Sequence, residues 1–270
     1  MMHHLLQEVE HAVIDTVHPA AREGYARQAD AYARGRPGYP QFLHQWLRDE
    51  VGIDSGSTVI EVGAGTGKFT SLLLATDADV VAIEPVAEMR AQLRRLLPAV
   101  RVMTGTAQAL PLASASADAI VCAQSFHWFA NREALDEFAR VLKADGRLAL
   151  VWNVRDERCD WVAELMRMAT ESAGSAPLLA SKQWQQAFPH PAFGPLVQTE
   201  HDHVHEGPVE QVIVDHFLSI SFVASLPPAE RDQMRDRIRA LIARHPALRG
   251  KTRVRFPYRT MAFVTQHKPR

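Results

Sequence analysis

The densest chemistry in this 270-residue chain is a glycine loop followed at a distance by an acid. Glu61-Val62-Gly63-Ala64-Gly65-Thr66-Gly67-Lys68 sets glycines at every second position. Residues without a Cβ let the backbone turn sharply and let a ligand approach it closely. Three ligand classes compete for such a loop. A dinucleotide site needs GxGxxG, but the third glycine counted from Gly63 falls at 67, and Lys68 follows it. A P-loop needs GxxxxGK[ST], but Val62 stands five residues before Gly67, and Phe69 follows Lys68. What remains, an acid followed by GxGxG, suits a ligand without a pyrophosphate. Glu84 follows the apolar run Val80-Val81-Ala82-Ile83, 21 residues after Gly63. A carboxylate there can accept from both hydroxyls of a ribose and would repel a 2′-phosphate.

A second group of candidates is Gln124-Ser125-Phe126-His127-Trp128-Phe129. Imidazole takes a proton near neutrality, at a pKa of about 6.5, so His127 is a candidate base or substrate contact. The alternative is that it only packs among its aromatic neighbours. Phe126, Trp128 and Phe129 read as pocket walls. His201-x-His203-x-His205 puts three imidazoles on one face of an extended segment. No fourth ligand has zinc-like spacing, so the segment reads as an exposed strand face and no metal site is assigned.

Elements must hold these groups in place. Strands are expected at 58–62, 79–83, 100–104, 119–123 and 148–152, with helices at 69–75, 86–97 and 133–142 between them. The helix at 86–97 would bury Met89, Leu93, Leu96 and Leu97. Short strands alternating with helical patterns imply βαβ units in an open, doubly wound α/β sheet, and such sheets bind ligands at the carboxyl ends of their strands. Helices are also expected at 4–16 and 41–50, separated by Arg36-Pro37-Gly38-Tyr39-Pro40. Beyond residue 152 the pattern loosens, with helices near 161–169, 209–220 and 228–244, a strand at 197–206 and a last strand at 259–265. No linker divides the chain, so residues 1–270 read as one domain: an N-terminal helical flap (1–50), a core (51–153) and a sheet-completing, pocket-forming region (154–270).

Composition bounds the rest. Lys and Arg number 30 against 31 Asp and Glu, and 47% of residues are hydrophobic, which excludes a disordered chain and a bulk polycation. The balance is an average, since residues 231–270 carry 12 basic and 2 acidic side chains. A local anion site is therefore open. Nucleic acid is disfavoured because few aromatics interleave the basic residues. Two cysteines without CxxC spacing, no long apolar run and no signal-like N-terminus lead to the expectation of a cytoplasmic protein without a membrane span.

Taken together, these motifs resemble the class I S-adenosylmethionine-dependent methyltransferases, and within them a type 11 subgroup that includes trans-aconitate methyltransferase-like proteins. The glycine loop, Glu84, Gly105-Thr106-Ala107-Gln108-Ala109-Leu110-Pro111 and Asp118-Ala119-Ile120-Val121 carry the class resemblance. Tyr32, the 36–40 segment, residues 124–128 and Trp152-Asn153-Val154-Arg155-Asp156-Glu157 followed by Trp161 carry that to the subgroup, and Phe256-Pro257-Tyr258-Arg259-Thr260 fits its last strand. The resemblance implies a Rossmann-like, mostly parallel seven-stranded sheet with an antiparallel last strand and helices on both faces. It implies S-adenosyl-L-methionine as cofactor and in-line methyl transfer to a small molecule. Glu61, Gly63, Ala64, Gly65 and Gly67 would wrap the methionyl part, and Glu84 and Pro85 the ribose. Thr106, Ala107 and Gln108 would line the adenine, with Gln124 beside them. Arg36 would pair with the cofactor carboxylate or an acidic substrate, while Tyr32 and Tyr39 would help close the site. Thr106 and Gln108 stand where many members have acids. Two other readings remain: a non-catalytic cofactor-binding regulatory or partner protein, and a nicotinamide oxidoreductase, which Lys68 disfavours.

Overall fold

Apolar side chains on both faces of the central strands require cover on both sides, and the structure supplies it. This is a computed structural model describing residues 37–172 and 182–268. The helix expected at 4–16, Tyr32 and Arg36 lie outside those residues. The strands are β1 (Thr58–Val62), β2 (Asp79–Ile83), β3 (Arg101–Met103), β4 (Ala117–Ala123), β5 (Leu142–Arg155), β6 (Val197–Pro208) and β7 (Arg253–Gln266). They form one seven-stranded sheet in the order β3-β2-β1-β4-β5-β7-β6. The β1–β5 pairings are parallel, and β7 runs antiparallel to both β5 and β6. The strand order reverses between β1 and β4, the switch point where open α/β sheets place their ligands.

The described helices are α1 (Phe42–Asp49), α2 (Thr70–Leu74), α3 (Ala87–Leu96), α4 (Arg132–Val141), α5 (Asp160–Thr170), α6 (His216–Leu218), α7 (Ser221–Ala224) and α8 (Pro228–Arg244). Strand alternation assigns them to faces. Ile60, Val62, Ile120 and Leu150 pack with Leu135 and Phe138 of α4 on one face. Val59, Val80, Val121 and Val151 pack with Leu43 and Leu47 of α1 and with Leu73 of α2 on the other. Asn131 caps α4, its Oδ1 accepting from the Ala134 N–H at 2.9 Å; such a cap is worth about 1 kcal/mol. A further core joins α5, α8, the 209–223 segment and the first half of β7.

Three expectations need correction. Leu96 does not join the buried face of α3 but is 52% exposed, whereas Arg90 and Gln92 are buried. Arg90 is drawn in because its Nη1 donates to the carbonyls of Glu84 (2.9 Å) and Pro85 (2.6 Å), pinning the turn after β2. Second, the last strand starts at Arg253, not 259. Arg253 and Arg255 face solvent while Val254 and Phe256 are buried, the alternation of a half-buried strand. Pro257 is tolerated there because β5 pairs β7 only as far as Tyr258. Third, the helix expected over 209–220 is present but not wholly α-helical: it is a π-helix over Glu210–Asp215 that continues into the short α6, where His216 is buried.

Candidate active site

A cleft opens over the carboxyl ends of β1, β2, β4 and β5. Its walls come from the glycine loop, the tip of β2, residues 105–108, the turn after β4 and the ends of β5 and β7.

The glycines of the loop have separate tasks. All three adopt positive φ: +74° at Gly63, +58° at Gly65 and +89° at Gly67, a region that disfavours residues bearing a Cβ. The Gly63 N–H donates to the Ile83 carbonyl at 2.8 Å, tying the loop to β2. A methyl group on Gly63 would come within 2.6 Å of Ser125 Cβ, and one on Gly67 would press on Leu97 and Leu93 at 3.0 and 3.2 Å. A methyl group on Gly65 would meet no atom within 4 Å. Gly63 and Gly65 line the cleft, whereas Gly67 lies behind it against α3.

Glu84 is buried at the tip of β2, on the cleft wall. Its Oε2 accepts from the Gly65 N–H (2.8 Å) and its Oε1 from the Val86 N–H (2.9 Å). Each oxygen keeps a second lone pair, so the carboxylate is fixed in direction and can still take a diol. Burial raises its pKa, opposed by the two backbone N–H groups and by Arg90. Glu61 is also buried on the cleft wall. Burial, aided by the nearby Glu84 charge, raises it to about 8 against the bond it accepts from Thr70 Oγ1 at 2.5 Å.

Pro85, Thr106, Ala107 and Gln108 border the same end of the cleft, and Ala64, Gln124, Tyr39 and Trp128 border its middle. Gln124 turns the chain off β4 at φ +57°, with its Nε2 donating to the Asn153 carbonyl at 3.1 Å. The 3₁₀ turn at Phe126–Trp128 then divides the aromatic run. Trp128 faces the cleft, but Phe126 is fully buried in the core beneath it, so its place as a pocket wall is corrected. His127 is also absent from the cleft wall. Its Nδ1 accepts from Trp152 Nε1 at 3.3 Å, and its ring borders a separate groove with Asn131, Trp184 and Pro189. The packing alternative describes it better than the base.

Sequence reasoning missed several cleft residues. Lys68 and Ser125 lie beside residues it named, and Asn153, Arg155, His216 and Tyr258 form the far wall. Asn153 and Arg155 share one strand face, a signal that period-two reading of 152–157 could have used. His216 gave no such signal, since it follows a π-helix that leaves no local pattern.

The histidine run lies on edge strand β6. His201 stacks on Phe42 (centroids 3.9 Å apart), and His203 Nε2 lies 3.1 Å from the Gly38 carbonyl, which also accepts from Asn153 Nδ2 at 2.9 Å. The face therefore anchors the 37–40 segment rather than facing only solvent. Burial lowers the pKa of His203 and His205, and Lys68 lowers that of His205 further. Among the described residues no group of three or more His, Cys, Asp and Glu side chains could hold a metal ion. The basic C-terminal residues are largely ion-paired. On α8, Arg235 pairs with Asp232, Arg237 with Glu171, Arg239 with Glu210 and Arg244 with Glu164. On β7, Arg259 pairs with Glu200. No helix among the described residues is long and apolar enough to cross a membrane.

A glycine loop at a switch point, with an acid on the next strand, marks a nucleoside-binding α/β enzyme, and comparison with known proteins narrows the class. Residues 60–150 match the family described as a methyltransferase domain. An uncharacterised methyltransferase-like protein of Schizosaccharomyces pombe is 36% identical over 241 residues, which is 88% of this chain and 93% of that protein. An uncharacterised methyltransferase of Mycobacterium tuberculosis H37Rv is 37% identical over 231 residues, 86% of this chain and 90% of that one. The chain belongs to the class I S-adenosylmethionine-dependent methyltransferases of the type 11 kind. Among solved structures, a candidate type II methyltransferase from Anaeromyxobacter dehalogenans superposes with TM-score 0.60 at 20% identity, over 86% of this chain and 97% of that one. The [4+2]-cyclase SpnF superposes with TM-score 0.51 at 18% identity, over 87% and 85%. Because a cyclase shares the fold, the fold alone does not assign the chemistry.

Proposed function

We propose that the cleft binds S-adenosyl-L-methionine and that the protein directs its methyl group to a small-molecule acceptor through a carboxylate, hydroxyl or similar atom. The cofactor supplies a methyl group on a positively charged sulfur, open to in-line displacement. The chain's own residues bind, orient and exclude water. Glu84 accepts from the ribose hydroxyls, Gly65 gives the ligand room against the backbone, and residues 105–108 flank the base. Gln124, Trp128, Tyr39 and Asn153 surround the space beyond, where alignment and dryness are the protein's main contributions. A carboxylate acceptor is ionised near neutrality and needs no base, which accords with the position of His127. We place the protein in the cytoplasm, in keeping with the free Cys122 and Cys159.

The observation that carries this reading is Glu84, held by two backbone N–H groups on the wall of the cleft at the switch point. Calorimetric titration with S-adenosylmethionine, S-adenosylhomocysteine and NAD tests it. The first two should bind, and Glu84→Ala should weaken them by about 1–3 kcal/mol, the worth of hydrogen bonds to a charged group. Tight binding of NAD alone, or an affinity indifferent to Glu84→Ala, would contradict it.

A further inference from the structure

The histidine run of β6 takes no part in the donor chemistry, yet it holds a segment that borders the donor cleft. Side chains alternate along a strand, so His201, His203 and His205 share one face of β6. Register carries that face inward. Asn153 of β5 stands opposite Thr260 of β7, Thr260 opposite His201, and Tyr258 opposite His203. Directly opposed side chains stand on one face of a sheet. Three neighbouring strands therefore present Asn153, Thr260 and the histidines on the face that meets residues 38–42.

The contacts converge on one carbonyl. The Gly38 oxygen accepts from Asn153 Nδ2 at 2.9 Å and lies 3.1 Å from His203 Nε2. A carbonyl only accepts, so Nε2 carries a proton and donates. Burial lowers the pKa of His203, against the bond to Gly38, so near neutrality that proton is the ring's only one. Asn153 is fixed in turn, because Thr260 Oγ1 donates to its Oδ1 at 2.6 Å. Both lone pairs of the Gly38 carbonyl are thus occupied, one from β5 and one from β6. Beside it, His201 stacks on Phe42 with centroids 3.9 Å apart.

Pinning Gly38 positions its neighbours. Pro37 and Tyr39 both line the cleft, whereas His203 does not. Pro37 and Pro40 have φ fixed by their rings, which leaves little slack around the held carbonyl. The Tyr39 ring meets Phe69 edge-on, with centroids 4.7 Å apart. Phe69 lines the cleft just before α2, so the segment reaches from β6 to the end of the glycine loop.

We infer that His203 is a positioning residue for the donor: by fixing the Gly38 carbonyl from outside the cleft, it holds Pro37 and Tyr39 as a cleft wall and slows release of the donor and its product. The inference rests on the cofactor reading above, and His203 acts only through the 37–40 segment.

Stopped-flow kinetics on the full chain test it, with S-adenosylhomocysteine as ligand. Tryptophan fluorescence gives the signal, since Trp128 lies in the cleft wall. His203→Phe keeps a ring against Tyr258, whose centroid lies 6.1 Å away, but cannot donate. It should speed dissociation about 3- to 10-fold, the worth of one neutral hydrogen bond, and leave association within about twofold. His203→Gln, whose amide nitrogen can donate to Gly38, should restore dissociation to within about twofold of the unaltered protein. Hydrogen exchange over residues 38–42 of ligand-free protein should quicken in His203→Phe and recover in His203→Gln. Unchanged dissociation in His203→Phe, or no recovery in His203→Gln, would overturn the inference and leave the cofactor reading intact. Failure of the unaltered protein to bind S-adenosylhomocysteine would instead overturn the cofactor reading, and this inference with it.

Discussion

Glu61 and Glu84 are two buried carboxyls on one cleft wall, and burial raises the pKa of both. Their partners set them apart. Glu84 receives two backbone N–H groups and lies near Arg90, while Glu61 has the Thr70 hydroxyl and the repulsion of Glu84. With its pKa raised from an ordinary 4.5 to about 8, native Glu61 holds a proton that an unfolded chain has already released. Its contribution to stability is therefore complete below about pH 4.5 and is lost as pH rises toward about 8. Thermal unfolding of ligand-free protein should show stability falling over that window, and Glu61→Gln should flatten the fall. An identical slope in the variant would contradict the assignment. At His127 the expectation is of the opposite kind. Alanine there removes the acceptor of Trp152 Nε1 and should cost about 0.5–1.5 kcal/mol of stability. Methyl transfer should keep its rate and pH profile; loss of the acid-side limb from that profile would restore the histidine as a base.

At the scale of elements, the two cleft-lining glycines of the loop between β1 and α2 differ in what a side chain there would meet. Gly63→Ala forces a Cβ against Ser125 at a positive φ and should destabilise the fold by about 1–3 kcal/mol. Gly65→Ala meets open space and should cost only about 1 kcal/mol of stability from its backbone, while weakening S-adenosylhomocysteine roughly tenfold by filling the cleft. Chemical denaturation and calorimetry on both variants check the contrast, and equal effects on stability and binding would refute it. Much of this region was legible in the sequence, because β1, β2 and β4 are short apolar runs and GxGxG states its own geometry. What could not be read was set by tertiary contact. Leu96 fits an amphipathic stripe but faces solvent, since α3 turns Arg90 inward to cap the Glu84 turn. The first half of β7 was obscured by Arg253, Arg255 and Pro257, which a strand accepts only where one face or one neighbour is missing. His216 follows a π-helix that leaves no local pattern.

Across the whole molecule the near-zero net charge conceals an acidic body and a basic last segment, and ion pairing reconciles them. The arginines of α8 reach Glu164, Glu171 and Glu210, outside their own helix. Exposed pairs of this kind are individually worth about 0–1 kcal/mol, so their main effect is to leave less unpaired positive field for a polyanion. We take residues 154–270 as part of one unit with the core, because Ala262 and Val264 of β7 are buried in the same cluster as Val59 and Val121. A chain ending at residue 196 should therefore fail to unfold cooperatively or to bind S-adenosylhomocysteine; a stable, binding fragment would show that the core stands alone. The central claim is that this cleft is the methyl-donor site, and a crystal structure with S-adenosylhomocysteine tests it most directly. The account predicts ribose hydroxyls on Glu84, adenine against residues 105–108 and sulfur facing the space between Trp128 and Asn153. A ligand seated elsewhere, with the Glu84 carboxylate still bound only by Gly65 and Val86, would contradict it.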